Sequence, residues 1–210
     1  DIVVGLSRLN ALVDYVPDDM TATFQVGMLL KDAQAILGQR GQWIALDPPY
    51  ADRATVGGVL ATNSSGPRRL RYGAARDFLI ATRVVHADGK ITKGGAKVVK
   101  NVTGYDIPKM HVGALGTLGI LAEATFRLYP IPPAEKTYLA AFPPVESEQR
   151  VIAQLLDSSL VPNAVELLDR EAARQIAGQV GLPWQAGHYG LAVAIGSVPE
   201  AVDAQIAALR

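Results

Sequence analysis

Between Pro48 and Gly73 the chain reads PPYADRATVGGVLATNSSGPRRLRYG. Gly57-Gly58, Asn63-Ser64-Ser65-Gly66 and Arg71-Tyr72-Gly73 follow one another at short intervals, with Arg68, Arg69 and Arg71 beside them. Glycines let a ligand approach the backbone, successive N–H groups can donate to it, and guanidinium groups offset negative charge. Together they suit a buried diphosphate. A lone Gly-Gly is more often a tight turn, and an arginine run is as often a solvated loop; the spacing of three such elements is what points to a ligand. A second cluster, Gly113-Ala114-Leu115-Gly116-Thr117-Leu118-Gly119-Ile120, lies further along.

The elements that must position these residues follow from periodicity. Leu12–Val16 and Thr21–Val26 are β-formers around the turn Pro17-Asp18-Asp19. Apolar residues at 29, 30, 33, 36 and 37 predict a helix ended by Gly41. Trp43 opens a short predicted strand that runs to Leu46. Thr55 is the expected cap of a helix to Ala61. Asp88-Gly89 predicts a hairpin between Phe78–His86 and Lys90–Lys93. Asp106 and Pro108 predict a helical turn, and Ile120–Tyr129 a strand. Pro130-Ile131-Pro132-Pro133 is the expected linker, after which strands and helices alternate. Predicted strands at 136–142, 164–168 and 191–195 are interleaved with helices at 146–159, from Asp169 to about Val180, and from Pro199.

Composition removes several chemistries. The 210 residues carry no cysteine, so the chain supplies no disulfide, thiolate metal ligand, iron–sulfur ligand or cysteine nucleophile. Twenty basic residues balance twenty acidic ones, which points away from nucleic acid and anionic membranes. His86, His111 and His188 lack metal-ligand spacing, and the first two read as structural. No apolar run reaches the ~20 residues of a membrane helix. A cytoplasmic setting is expected, with any membrane association arising through partners. The chain opens without methionine and stops inside a helical pattern, so it reads as a piece of a longer protein.

The pattern ATVGG-x4-NSSG-x4-RYG-x3-D resembles the FAD-binding domain of the vanillyl-alcohol-oxidase type, the PCMH-type flavin fold. GYDIPKMHVGALGTLGI, residues 104–120, resembles its second flavin signature, and Asp88-Gly89 and Lys97, Lys100 and Asn101 also fit. Within the family the nearest resemblance is to the FAD-binding E subunits of bacterial glycolate oxidases. It is strong over residues 1–130.

The resemblance implies an α+β fold, with a PCMH-type FAD-binding domain over 1–130 and part of a ferredoxin-like cap over 131–210. It implies FAD as cofactor. Pro48, Thr55, Gly57, Gly58, Ser64, Ser65 and Gly66 would lie along the pyrophosphate and isoalloxazine, with Arg71, Tyr72 and Gly73 shaping the same wall. Gly116, Thr117, Gly119 and Ile120 would hold the adenine–ribose side through backbone groups. The implied activity is oxidation of glycolate or a similar small 2-hydroxy acid, with electrons passing through flavin to a partner. The implied partners are a catalytic flavoprotein subunit and an iron–sulfur subunit. No catalytic residue is assigned. In the sister catalytic subunit the position of Leu115 is acidic, which favours an alternative: a scaffold or electron-relay subunit on the same fold. Another PCMH-type flavin oxidoreductase is the remaining alternative. The family's first glycine-rich clamp would lie upstream of Asp1, so weak FAD retention is expected of this chain by itself.

Overall fold

A computed structural model describes residues 3–96, 106–143 and 145–209. Lys97, Lys100, Asn101, Gly104 and Tyr105 lie outside the described residues. The chain divides into two compact units, Asp1–Ile131 and Pro132–Arg210.

The first unit is built on a five-stranded antiparallel sheet in the order β1-β2-β6-β4-β5. Strands β1 (Leu12–Val16) and β2 (Thr21–Gln25) form a hairpin, closed where the Met20 amide donates to the Pro17 carbonyl. Helix α1 (Leu30–Gly38) buries Leu30, Ala33 and Leu37, the stripe that its apolar spacing predicts. Strand β3 (Gln42–Trp43) is shorter than expected, because Ile44 turns inward to the core and its backbone is held by the Gln34 amide instead of a ladder. Helix α2 (Val56–Thr62) follows, then two single turns, α3 (Arg69–Tyr72) and α4 (Ala75–Phe78). Strands β4 (Leu79–Val85) and β5 (Ile91–Gly95) pair around Asp88-Gly89, where Gly89 supplies the positive φ the turn requires. The short α5 (Ile107–Met110) precedes β6 (Ile120–Arg127), and β7 (Tyr129–Pro130) pairs with β3.

One face of this sheet carries the core. Phe24, Phe126 and Leu79 are buried there with Phe78, beneath Val56, Val59 and Leu60 of α2. Removing one such phenylalanine ring costs on the order of 3–5 kcal/mol, from lost burial plus the cavity left behind. On β2 the alternate residues Thr21 and Thr23 are buried too, and the Thr23 and Thr125 hydroxyls bond each other at 2.9 Å. Strand β2 is therefore covered on both faces and fixed in place, which matters because its end forms the floor of the site.

The second unit holds strands β8 (Ala134–Phe142), β9 (Ala164–Leu168) and β10 (Tyr189–Ser197) in the order β8-β10-β9. Both outer strands run antiparallel to β10. Thus β8 and β9 are parallel to each other, joined by helix α6 (Val145–Leu156), with β10 between them: a split β-α-β arrangement of the ferredoxin-like kind. Helix α7 (Arg170–Gln179), between β9 and β10, is an addition to that plan. It starts where the Asp169 carboxylate accepts from the Ala172 amide at 2.8 Å. Leu155, Leu191, Val193, Ile195 and, from α8 (Pro199–Ala208), Val202 make a separate core. No helix among the described residues is long and apolar enough to cross a membrane.

Candidate functional site

The site is a cleft of about 750 Å³ in the first unit. Its floor is the turn from β2 into α1. The first turn of α2 is bound to that turn, since the Gly57 amide donates to the Val26 carbonyl at 2.7 Å and the Val56 amide to Met28 at 2.9 Å. Glycine is required at 57 by this contact: an added Cβ would sit 2.8 Å from the Val26 Cβ. Thr55 is extended and caps the helix, its hydroxyl accepting from the Gly58 amide at 3.0 Å.

A second wall is the loop 111–121. It docks on the far end of α2, where the Gly113 amide donates to Leu60 and the Leu115 amide to Ala61, both at 2.9 Å. These bonds satisfy carbonyls that a helix end leaves open. The loop closes through left-handed backbone at Gly113, Leu115 and Gly116, with φ of 78°, 51° and 77°. The third wall is the N-terminal segment carrying Leu6, Ser7 and Asn10. It lies on Gly27, where a Cβ would come within 2.0 Å of the Leu6 carbonyl oxygen.

Aliphatic groups and bare backbone dominate the cleft, and among the described residues Asp32 is the single carboxylate or guanidinium-type charge lining it. Two further cavities share its walls. One, of about 440 Å³, meets it at Gly58 and carries Arg53 and Tyr50. The other, of about 630 Å³, meets it at Gly116, Gly119 and Ile120 and carries His86, Asp88 and Lys90.

The structure brings Thr55, Gly57, Gly58, Gly116, Gly119 and Ile120 together in the main cleft. Pro48 and Ser64 line the cavity beyond Gly58, and Thr117 the one beyond Gly119. Ser65, Gly66, Arg71, Tyr72 and Gly73 line none of the three. Internal contacts account for this. Asn63 ends α2 in the left-handed conformation and the Ser64 amide donates back to Val59, so this motif is first a helix stop. The amides of Gly66 and Arg68 are taken by the two carboxylate oxygens of Asp47, at 3.1 and 3.0 Å. The turn that looked ready for an external anion is filled by the chain's own carboxylate. Tyr72 packs edge-on against Trp43 and Tyr129, with ring centroids 5.9 and 5.2 Å apart, and Gly73 serves a left-handed turn at φ 90°. Arg71 is exposed on α3, and Arg68 stacks on Trp43 at 4.7 Å. The Gly57 and Gly58 amides are likewise engaged internally, so these glycines offer a bare wall more than a set of donors.

His111 is the residue that sequence reasoning missed. It is 7% exposed and lines the cleft, where its apolar neighbours in sequence suggest only a structural role. Burial, and then the nearby His86, hold its imidazole below the ordinary histidine range, so it is neutral at pH 7. Asp32, on the first turn of α1, carries no sequence signal for a place in the cleft. Among the described residues no group of three or more histidine and carboxylate side chains could hold a metal ion.

Residues 1–95 match the FAD binding domain family. Over those residues the chain resembles the PCMH-type FAD-binding family. The chain is 33% identical over 187 residues to the glycolate oxidase subunit GlcD of Bacillus subtilis, covering 88% of this chain and 40% of that protein. It is 40% identical over 126 residues to the glycolate oxidase subunit GlcE of Escherichia coli, covering 60% of this chain and 36% of that one. An alkyldihydroxyacetonephosphate synthase structure superimposes with a TM-score of 0.78 at 23% identity, over 97% of this chain and 39% of the other. The chain thus spans less than half the length of the relatives it matches. The shared fold is the α+β fold of this flavin family.

The cleft fits an FAD ring system. Its walls are apolar, and the Gly116 backbone faces space in which an added Cβ would meet no atom within 4 Å. Aromatic ligands bind such slots through dispersion and water exclusion, with a few placed polar groups for orientation.

Proposed function

We propose that this chain is the FAD-binding part of a glycolate or related small 2-hydroxy-acid oxidoreductase. The observation that carries the reading is the meeting of the two glycine signatures on one apolar cleft, in a domain related to two glycolate oxidase subunits. Gly57, Gly58 and Thr55 would hold one side of the cofactor, and Gly116, Gly119 and Ile120 the other. The flanking cavities would accommodate the parts of a dinucleotide that the main cleft cannot, with Arg53 and Ser64 on one side and Thr117 and Lys90 on the other. Bound FAD would supply two-electron oxidation of the carbon that bears the substrate hydroxyl. Val26, Met28, Leu29 and Leu121 would keep water from it. With no cysteine in the chain, an iron–sulfur acceptor would belong to a partner subunit, alongside a second flavoprotein subunit.

Titration of the chain with FAD, followed by flavin fluorescence, tests the binding claim. Saturable one-to-one quenching is the expected result, and a linear response without saturation overturns the reading. Leu115, 70% exposed at the end of α2, fits a second reading in which the chain holds flavin and relays electrons without turning over substrate. Anaerobic addition of glycolate to the FAD-loaded chain separates the two. Bleaching supports turnover here, and an unbleached flavin supports the relay.

A further inference from the structure

We infer that His111 is the side chain that hydrogen-bonds the ligand of the main cleft from the 111–121 wall. The inference rests on the FAD reading above and names one contact within it. On that wall the lining residues are His111, Ala114, Gly116, Gly119, Ile120 and Leu121, and His111 alone carries a side-chain hydrogen-bonding group. Its side chain is buried, yet among the described residues the imidazole has no hydrogen-bond partner. Neither ring nitrogen is sealed inside the protein, because neither falls among the buried polar atoms left unpaired. A ring nitrogen that is open to the cleft and has no protein partner can be completed by a molecule held there. The backbone holds the ring there: the His111 amide donates to Pro108, and the Gly113 amide two residues on is anchored to α2. Across the cleft the polar groups are Ser7, Asn10, Asp32 and Thr55, so a ligand is offered polar contacts from opposite sides. A neutral imidazole can donate from one nitrogen or accept at it, and so can serve either a carbonyl oxygen or an N–H of a flavin ring.

FAD titration of the wild-type chain and of His111→Leu and His111→Gln tests this. Wild type and His111→Gln should bind within about threefold of each other, and His111→Leu about tenfold more weakly, as one lost hydrogen bond implies. The visible absorption band of bound FAD should shift in His111→Leu and recover in His111→Gln. Nitrogen-15 NMR of the unmutated chain gives a reading that needs no variant to fold. The ring-nitrogen signal absent from His111→Gln must move when FAD saturates the protein. If wild type binds FAD while that signal stays still, or His111→Leu matches wild type in affinity and spectrum, the His111 assignment is wrong and the FAD reading stands. If wild type shows no saturable binding, both fall.

Discussion

The two glycine segments around α2 look alike as strings and obey different rules. In 57–66 the glycines are demanded by crowding. A Cβ at Gly57 would press on Val26, and one at Gly66 would lie 2.1 Å from the Asp47 carbonyl oxygen. In 113–119 they are demanded mainly by backbone direction. Gly113 and Gly116 have φ of 78° and 77°, and Gly116 has open space where a side chain would begin. Gly119 combines both demands, with φ 139° and Val84 2.8 Å from a notional Cβ. The first segment is thus locked into the protein with its amides spent. The second is an arched strip of backbone that leaves room beside it. A glycine signature can mark a packed wall or an open one: Gly57 and Gly58 border the cleft with their amides spent inside the protein, while Gly116 leaves open space where a side chain would begin.

The largest test of this contrast is Gly66→Ala. The clash is with main chain, and relief requires breaking the Asp47 bonds to Gly66 and Arg68. A loss of about 3 kcal/mol in urea unfolding is expected. A loss under half of that would show that the packing around Gly66 can open. Gly116→Ala sharpens the other side. Without a clash, the cost is that of left-handed backbone alone, about 1 kcal/mol. Its effect on FAD affinity should exceed its effect on stability, because the new methyl group borders the cleft. Equal effects of the two alanines on stability would erase the distinction.

The smallest effect concerns pH. Burial lowers the His111 pKa below the ordinary value of 6.5, so the unfolded chain takes up a proton before the folded one does. Stability from this residue is therefore complete above pH 6.5 and declines as pH falls below it toward the folded-state value. Melting temperatures at pH 8 and pH 5.5 should differ more for wild type than for His111→Leu. An identical difference in the two proteins would place the imidazole in water rather than in the wall.

Much of the architecture is legible along the chain. The hairpin of β4 and β5 follows from Asp88-Gly89 between two runs of β-formers, and α2 starts at Thr55 because a hydroxyl there meets an amide three residues on. The alternation of strands and helices after Pro132 can be read in the same way. The order β8-β10-β9 cannot, since it depends on which strands bury which faces. In the site, the paired signatures lead one to expect Gly58 and Gly119 in a common cleft, and both line it. The fate of the amides is not legible in that way. Asp47 lies nineteen residues before Gly66, and no local pattern announces that its carboxylate fills that turn.

What the residues determine alone are properties of short range: turns, caps, helix stripes, positions where only glycine is tolerated, and the absence of any thiolate chemistry. Tertiary structure decided which of those glycines are crowded by neighbouring elements and which leave open space beside them. It also turned His111 into the cleft wall and laid the N-terminal segment over Gly27. Hydrogen bonds and steric contacts act over a few ångströms in space, and sequence separation says little about which groups come within that reach.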